Sequence, residues 1–421
     1  MCIINASLLD IYNITVPHRH GTPLRALAVA INYTLYIIHY YDPRFQKIMI
    51  KKNDEYLVQL DGLRFLAVAL VLWDHWMAER NPLPFGKLGV NLFFVLSGFL
   101  IARILLSSKD KNYGTVGGLG QYLKKFYIRR TLRIFPIYYL SLLVLWLFND
   151  PSVRGKELWQ IFYASNVYIA LKKTWLGVTD HFWSLAVEEQ FYVFFPLLIF
   201  FLPRRWVVPF FGVLIVLSVA LRGYFLATNQ PWFVSYVSMP TALDAFGFGA
   251  LMAYAQLYHR VLFEKIFQNR VYLWLSLAAL SLVFWLSAQA TEAGATQDQN
   301  LYINVWERFF ASIFFMFLIG GAIVGYGGWF KWLLENPVSN YLGKISYGLY
   351  VYHNFVYNHY HSPAAHPVVR LLNKLSQIIP NFEELHPLRV LILFSITTAV
   401  ATVSWFLIEK PINGLKDKLA K

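Results

Sequence analysis

Residues 185–202 read LAVEEQFYVFFPLLIFFL, and residues 389–408 read RVLILFSITTAVATVSWFLI. At a helical rise of about 1.5 Å per residue, each run is long enough to cross a ~30 Å hydrocarbon core. The apolar residues stand in blocks instead of following amphipathic spacing. The rest of the chain has the same character: of 421 residues, 57% are hydrophobic, 18% aromatic and 14% charged, against about 25% charged in an ordinary soluble domain. A soluble fold is excluded on these grounds. Apolar stretches of spanning length recur near 58–78, 88–107, 133–149, 183–202, 206–226, 240–258, 271–289, 308–327, 341–360 and 388–408. They predict an all-α, polytopic integral membrane protein with about ten transmembrane helices.

The loops between these runs can be tested by charge. Lysine and arginine outnumber the acids 37 to 23, a formal net charge of +14. A nucleic-acid binder could show that balance, but here the excess lies between hydrophobic runs, as cytoplasmic loops facing anionic lipid require. Lys109, Lys111, Lys124, Lys125, Arg129 and Arg130 place the segment from Arg103 to Arg133 inside. In alternation, Arg204 and Arg205, the stretch His259–Arg270 and the tail from Lys410 to Lys421 follow. Residues 227–239 carry no charge, and 290–307 hold Glu292, Asp298 and Glu307 without a base; both are expected outside. Membrane lipids are thus one expected partner and nucleic acid is not.

Residues 1–50 form an N-terminal extension, with residues 51–421 as the membrane-embedded domain. Within the extension, Leu24–Tyr40 is apolar but interrupted by Asn32 and His39. It is compatible with an eleventh helix, an interfacial helix, or an extension upstream of a functional start near Met49. The only cysteine is Cys2, which excludes a disulfide framework, a cysteine zinc site and a cysteine nucleophile in the core.

An ionisable side chain inside a span is costly and therefore a functional candidate. Arg64 and His75, in the first span, are eleven positions apart, on roughly one helix face and about 16 Å along the axis. Taken alone they read as a snorkelling anchor and a capped helix end; Asp74 either holds the imidazole or faces water. Glu188 and Glu189 stand in the first two turns of the fourth span, where the helix dipole favours carboxylates, and Ser184 is placed to cap that helix. A buried glutamate within reach of a histidine suits general-base catalysis on a hydroxyl. Arg130 and Arg133 are i, i+3 neighbours. They read either as a positive-inside anchor or as paired guanidiniums for phosphate.

Several longer stretches carry a resemblance: LDGLRFLAV followed by His75, GVNLFFVLSGFLI at 89–101, RRTLRIFPIYY at 129–139 and FWSLAVEEQFYVFFPL at 182–197. MPTALDAFGFGALMA at 239–253, ISYGLYVYH at 345–353 and EKP at 409–411 continue it. Together, over residues 56–413, the chain resembles acyltransferase family 3. The resemblance implies transfer of an acyl group, often acetyl, from cytoplasmic acyl-CoA to a carbohydrate or lipid-linked glycan, in the bacterial cell inner membrane. It maps the family's essential histidine and arginine onto His75 and Arg64, its basic pair onto Arg130 and Arg133, and its carboxylate onto Glu188. Asn91 departs from it, standing where an acid is common. Only Glu409 to Lys421 follow the last span, so the form without an extracytoplasmic hydrolase-like domain is expected.

The expected mechanism holds the phosphates of acyl-CoA with Arg130 and Arg133, alongside Lys124 or Lys125. His75 is the general base and is oriented by Glu188 or Asp74; an acyl-enzyme on histidine or a hydroxyl stays open. No bound cofactor and no metal are expected. Trp175, Trp232 and Tyr236 read as sugar-stacking residues or as an interfacial aromatic belt. A transporter of a glycan or polar lipid is the rival reading; the paired halves with interrupted helices found in common transporter folds are not visible.

Overall fold

A computed structural model describes residues 56–419 apart from 78–80, 82, 360 and 383. The N-terminal extension lies outside the described residues, as does its apolar stretch. The described chain is helical, with no strand. Its principal helices are α1 (Val58–Met77), α2 (Phe85–Asn112), α3 (Gly118–Leu147), α4 (Phe182–Phe201), α5 (Val207–Ala227), α6 (Leu243–Tyr258), α7 (Val271–Glu292), α8 (Glu307–Val324), α9 (Ser346–Val356) and α10 (His386–Ser404). Single π-helical turns at Tyr302–Trp306 and Trp405–Glu409 lead into α8 and out of α10.

Seven of the described helices are long and apolar enough to cross a membrane: α2, α3, α4, α5, α7, α8 and α10, some with their flanking turns. The protein is a multi-pass membrane protein. The three other predicted stretches are also helical, for reasons that set them apart. α1 has 20 residues but carries Asp61, Arg64 and Asp74. α6 has 16 residues and α9 only 11, short of the roughly 17 that a bilayer core demands.

Small residues let the central helices approach closely. A Cβ added at Gly98 of α2 would lie within 3 Å of the Phe246 backbone on α6, and one at Gly249 of α6 would meet the Val95 and Gly98 backbone on α2. Close backbone approach at small residues is the usual basis of helix association in lipid, which offers apolar side chains no net gain from burial. Around this crossing, Phe94 and Phe191 stack on Phe246 with centroids 5.0 and 4.2 Å away.

Buried polar groups pin the bundle. Arg222 of α5 pairs with Asp244 of α6 at 2.6 Å, and its guanidinium also donates to the Thr241 and Val305 carbonyls at 2.7 and 3.0 Å. Asn91 of α2 donates to the Ser312 hydroxyl on α8 at 3.0 Å and to the Arg308 carbonyl at 3.2 Å. On α3, the Tyr122 and Tyr127 hydroxyls donate to the Pro196 and Val193 carbonyls of α4. Each bond satisfies a group that hydrocarbon would leave unpaired.

Candidate active site

Four helices present one face each, and α1 one arginine, to a cavity of about 220 Å³. α2 contributes Phe93, Ser97, Leu100 and Ile104, at the i, i+4, i+7, i+11 spacing of a single helix face. α3 adds Arg130, Arg133 and Ile134; α4 adds Ser184, Leu185, Glu188, Glu189 and Tyr192; α9 adds Ser346, Tyr347 and Tyr350; and Arg64 comes from α1. Six of the eight ionisable or capping residues singled out in the sequence therefore share one cavity: Arg64, Arg130, Arg133, Ser184, Glu188 and Glu189.

Its charges are unevenly satisfied. Arg64 pairs with Asp61 one turn away. Arg130 lies over the Tyr192 ring, 5.2 Å from its centroid. Arg133 is exposed, and among the described residues its guanidinium has no hydrogen-bond or ion-pair partner. Glu188 accepts from the Ser97 hydroxyl at 2.7 Å and from the Tyr192 hydroxyl at 3.0 Å. Glu189 is buried, and among the described residues its Oε1 has no hydrogen-bond partner. Three guanidiniums gathered at one cavity, one of them unpaired, suit a polyanionic ligand, which planar forks of donors hold bidentately.

Ser184 does not cap α4. The helix begins at Phe182, so Ser184 already lies inside the first turn. Its hydroxyl lies 3.1 Å from the His181 carbonyl and 2.5 Å from the Tyr350 hydroxyl, which lies 2.9 Å from the same carbonyl, so one hydroxyl donates to the other and the other to the carbonyl. This wall of the cavity backs onto a second cluster. His75, near the end of α1, has its Nδ1 2.8 Å from Nε2 of His353 and 3.1 Å from Oδ1 of Asn354, and the two imidazole planes lie 29° apart with centroids separated by 4.9 Å. His181 joins them, its ring 4.8 Å from His353 and its Nδ1 2.9 Å from Nδ2 of Asn354. His181, His353 and Asn354 are buried.

Among the described residues neither Glu188 nor Asp74 hydrogen-bonds to His75. The Asp74 carboxylate instead accepts from the amides of Phe85 and Gly86 at the start of α2, and from Asn81 at 3.3 Å. The partners of His75 are His353 and Asn354, which the sequence reading did not select. One signal was present: His353 ends ISYGLYVYH and lies inside a predicted span, where any ionisable residue is a candidate. His181 stands just outside the predicted span 183–202 and gave no such signal. Trp175, Trp232 and Tyr236 do assemble, with ring centroids 6.4 and 5.7 Å apart along the series. Lys87 lies 4.4 Å from the Trp232 centroid and Arg308 lies 5.1 Å from that of Tyr236. Among the described residues, no three His, Cys, Asp or Glu side chains are arranged to hold a metal ion.

No solved structure matches the chain. Among curated proteins, a Staphylococcus aureus (strain COL) protein named as a putative O-acetyltransferase is 30% identical over 331 residues, covering 74% of this chain and 52% of that one. The peptidoglycan O-acetyltransferase OatA of Listeria monocytogenes is 25% identical over 411 residues, covering 86% and 58%. A protein of Acidianus two-tailed virus, named as a putative acetyltransferase, is 28% identical over 321 residues, covering 72% and 84%. The chain thus spans about half the length of the staphylococcal and listerial relatives. A family model described as an acyltransferase domain matches residues 57–408, a stretch that contains every residue of the cavity and of the histidine cluster, and the chain belongs to acyltransferase family 3.

Proposed function

We propose that the protein is an O-acyltransferase that moves an acyl group, in the first instance acetyl, from cytoplasmic acyl-CoA to a hydroxyl of a carbohydrate or lipid-linked glycan. The observation that carries this reading is the pairing of an arginine-lined cavity with a histidine cluster behind its wall. The phosphates of acyl-CoA bind Arg130 and Arg133, with Arg64 deeper along the same cavity, and the apolar face of α2 receives the thioester arm. His75 takes the proton of the acceptor hydroxyl as its oxygen attacks the thioester carbonyl. The C–S bond then breaks, and the proton passes to the departing thiolate. In this reading α1, α6 and α9 complete ten spans, the domain begins near residue 51 after an N-terminal extension, and the outer aromatic cluster of Trp175, Trp232 and Tyr236 meets the sugar.

The test is incorporation of label from acetyl-CoA into the glycan fraction of membranes that contain the protein, with mass spectrometry of the product. His75→Ala should abolish incorporation while leaving expression and membrane insertion near wild type. A purified His75→Ala protein that keeps most of its turnover would remove the base and the mechanism with it.

A further inference from the structure

A neutral imidazole carries one N–H and one lone pair, and its neighbours decide which nitrogen holds which. Two main-chain carbonyls, which can only accept, decide it here. His353 Nδ1 lies 2.6 Å from the Tyr350 carbonyl, so it carries the proton and leaves Nε2 as a lone pair. His75 Nδ1 faces that lone pair at 2.8 Å and must donate to it. Independently, His181 Nε2 lies 3.1 Å from the Val351 carbonyl and carries its own ring proton. His181 Nδ1 is then a lone pair that needs a donor, and Asn354 Nδ2 supplies one at 2.9 Å. With its NH2 turned toward His181, Asn354 presents Oδ1 to His75 Nδ1 at 3.1 Å.

The two deductions start from different carbonyls and meet at one amide. Reversing the Asn354 side chain would set an oxygen against the His181 lone pair and an NH2 against the His75 N–H. Both contacts would be lost, so the amide orientation follows from the network.

We infer that His353 and Asn354 are positioning residues that hold His75 as the Nδ1–H tautomer and so leave its Nε2 lone pair to receive the proton of the acceptor hydroxyl. Among the described residues Nε2 of His75 has no hydrogen-bond partner, and the ring is half-buried. The same two acceptors grip the Nδ1–H of the imidazolium once Nε2 is protonated, so the ring keeps its orientation through the proton transfer. The other titratable groups around it are Asp74, Asp180 and His181. Tyr350, His353 and Asn354 occupy i, i+3 and i+4 on α9, so one helix turn joins the cavity wall to the partners of His75.

The inference rests on His75 as the base, and the experiment separates the two claims. Nitrogen NMR of the purified wild-type protein with labelled histidine, assigned by the signal lost in His75→Gln, should show a protonated Nδ1 and a bare Nε2 at His75. In turnover with acetyl-CoA, His353→Gln keeps an acceptor and should stay within about threefold of wild type. His353→Leu and Asn354→Leu should each lower kcat by about 10- to 100-fold, the usual cost of removing an orienting partner, with KM for acetyl-CoA unchanged. A proton on Nε2 of wild-type His75 overturns the inference without any variant having to fold. Equal activities of the Gln and Leu variants at His353 would also overturn it, since packing alone would then explain the position. Full turnover in His75→Gln would remove the base assignment instead, a result that the tautomer measurement does not depend on.

Discussion

Arg133 offers the cleanest perturbation of the proposed donor site. Among the described residues its guanidinium has no partner in the protein, so Arg133→Gln strips a contact from the ligand without leaving a protein group unpaired. Arg64→Gln does not have that advantage, because it breaks the ion pair with the Asp61 carboxylate, which is 3% exposed. One lost guanidinium–phosphate contact is worth about 1.5–3 kcal/mol. At about 1.4 kcal/mol per tenfold, coenzyme A should bind about 12- to 150-fold more weakly to Arg133→Gln. Arg133 is exposed, so the loss should shrink as salt takes the screening length from about 10 Å at 0.1 M to about 3 Å at 1 M. Arg133→Lys should recover only part of the affinity, since an ammonium cannot make the bidentate contact. Calorimetry of coenzyme A with purified protein reads all of this. Suppose instead that the Arg130→Gln, Arg133→Gln double variant binds coenzyme A normally but accumulates poorly in the membrane. The pair would then be topology anchors, and the donor site would have to be sought at Lys124, Lys125 and Arg129.

Other expectations test the fold and the outer face. Asp244→Ala leaves Arg222 buried without its carboxylate counter-ion and should cost about 3–5 kcal/mol of stability, seen as a lower melting temperature in detergent; an unchanged temperature would mean that water reaches the pair. Gly98→Ala drives a Cβ into the Phe246 backbone and should destabilise by about 1–3 kcal/mol in the same assay. The bond from Asp180, 2.8 Å from His361 Nε2, raises the His361 pKa above its ordinary value near 6.5. Its contribution to stability is therefore full below about pH 6.5 and lost as pH rises through the raised value. The melting temperature of His361→Gln should fall below wild type at pH 6 and converge with it at pH 8, and parallel curves would deny the link. Cysteines at Thr228 and Gln297 should react with an impermeant thiol reagent in intact cells and one at Lys111 should not; the opposite pattern would invert the predicted topology.

The membrane architecture was legible because its cause is local. Long apolar runs and the charge of the loops between them depend on composition within about twenty residues, and α2, α3, α4, α5, α7, α8 and α10 follow from them. α1, α6 and α9 were harder to delimit, and the reason is visible in the structure. α1 carries charges because Arg64 lines the cavity and Asp61 pairs with it. α9 stops after 11 residues, where Tyr357 turns extended. Shortness and charge, which weaken a spanning signal, are here what places side chains at the site.

The limit of the sequence reading at the site has the same origin. Arg64, Arg130, Arg133, Ser184 and Glu188 could be picked out one by one, since a charge or hydroxyl inside an apolar run costs energy wherever it points. What each one touches could not be read that way. Glu188 stands in the same short motif as Ser184, and the sequence offers it as a partner for a histidine. Its oxygens are instead taken by Ser97, 91 positions earlier, and by Tyr192 one turn along. The partners of His75 lie 278 and 279 positions away, on a helix whose face has no meaning until it is packed. Asp74 is adjacent in sequence, yet its carboxylate turns toward the Phe85 and Gly86 amides at the start of α2 and toward Asn81. Proximity along the chain therefore pointed to Glu188 and Asp74 as neighbours of His75, whereas its hydrogen-bond partners among the described residues are His353 and Asn354. The two clusters are linked through α9, whose Tyr350 lines the cavity and whose next turn places His353 and Asn354 against the imidazole of His75.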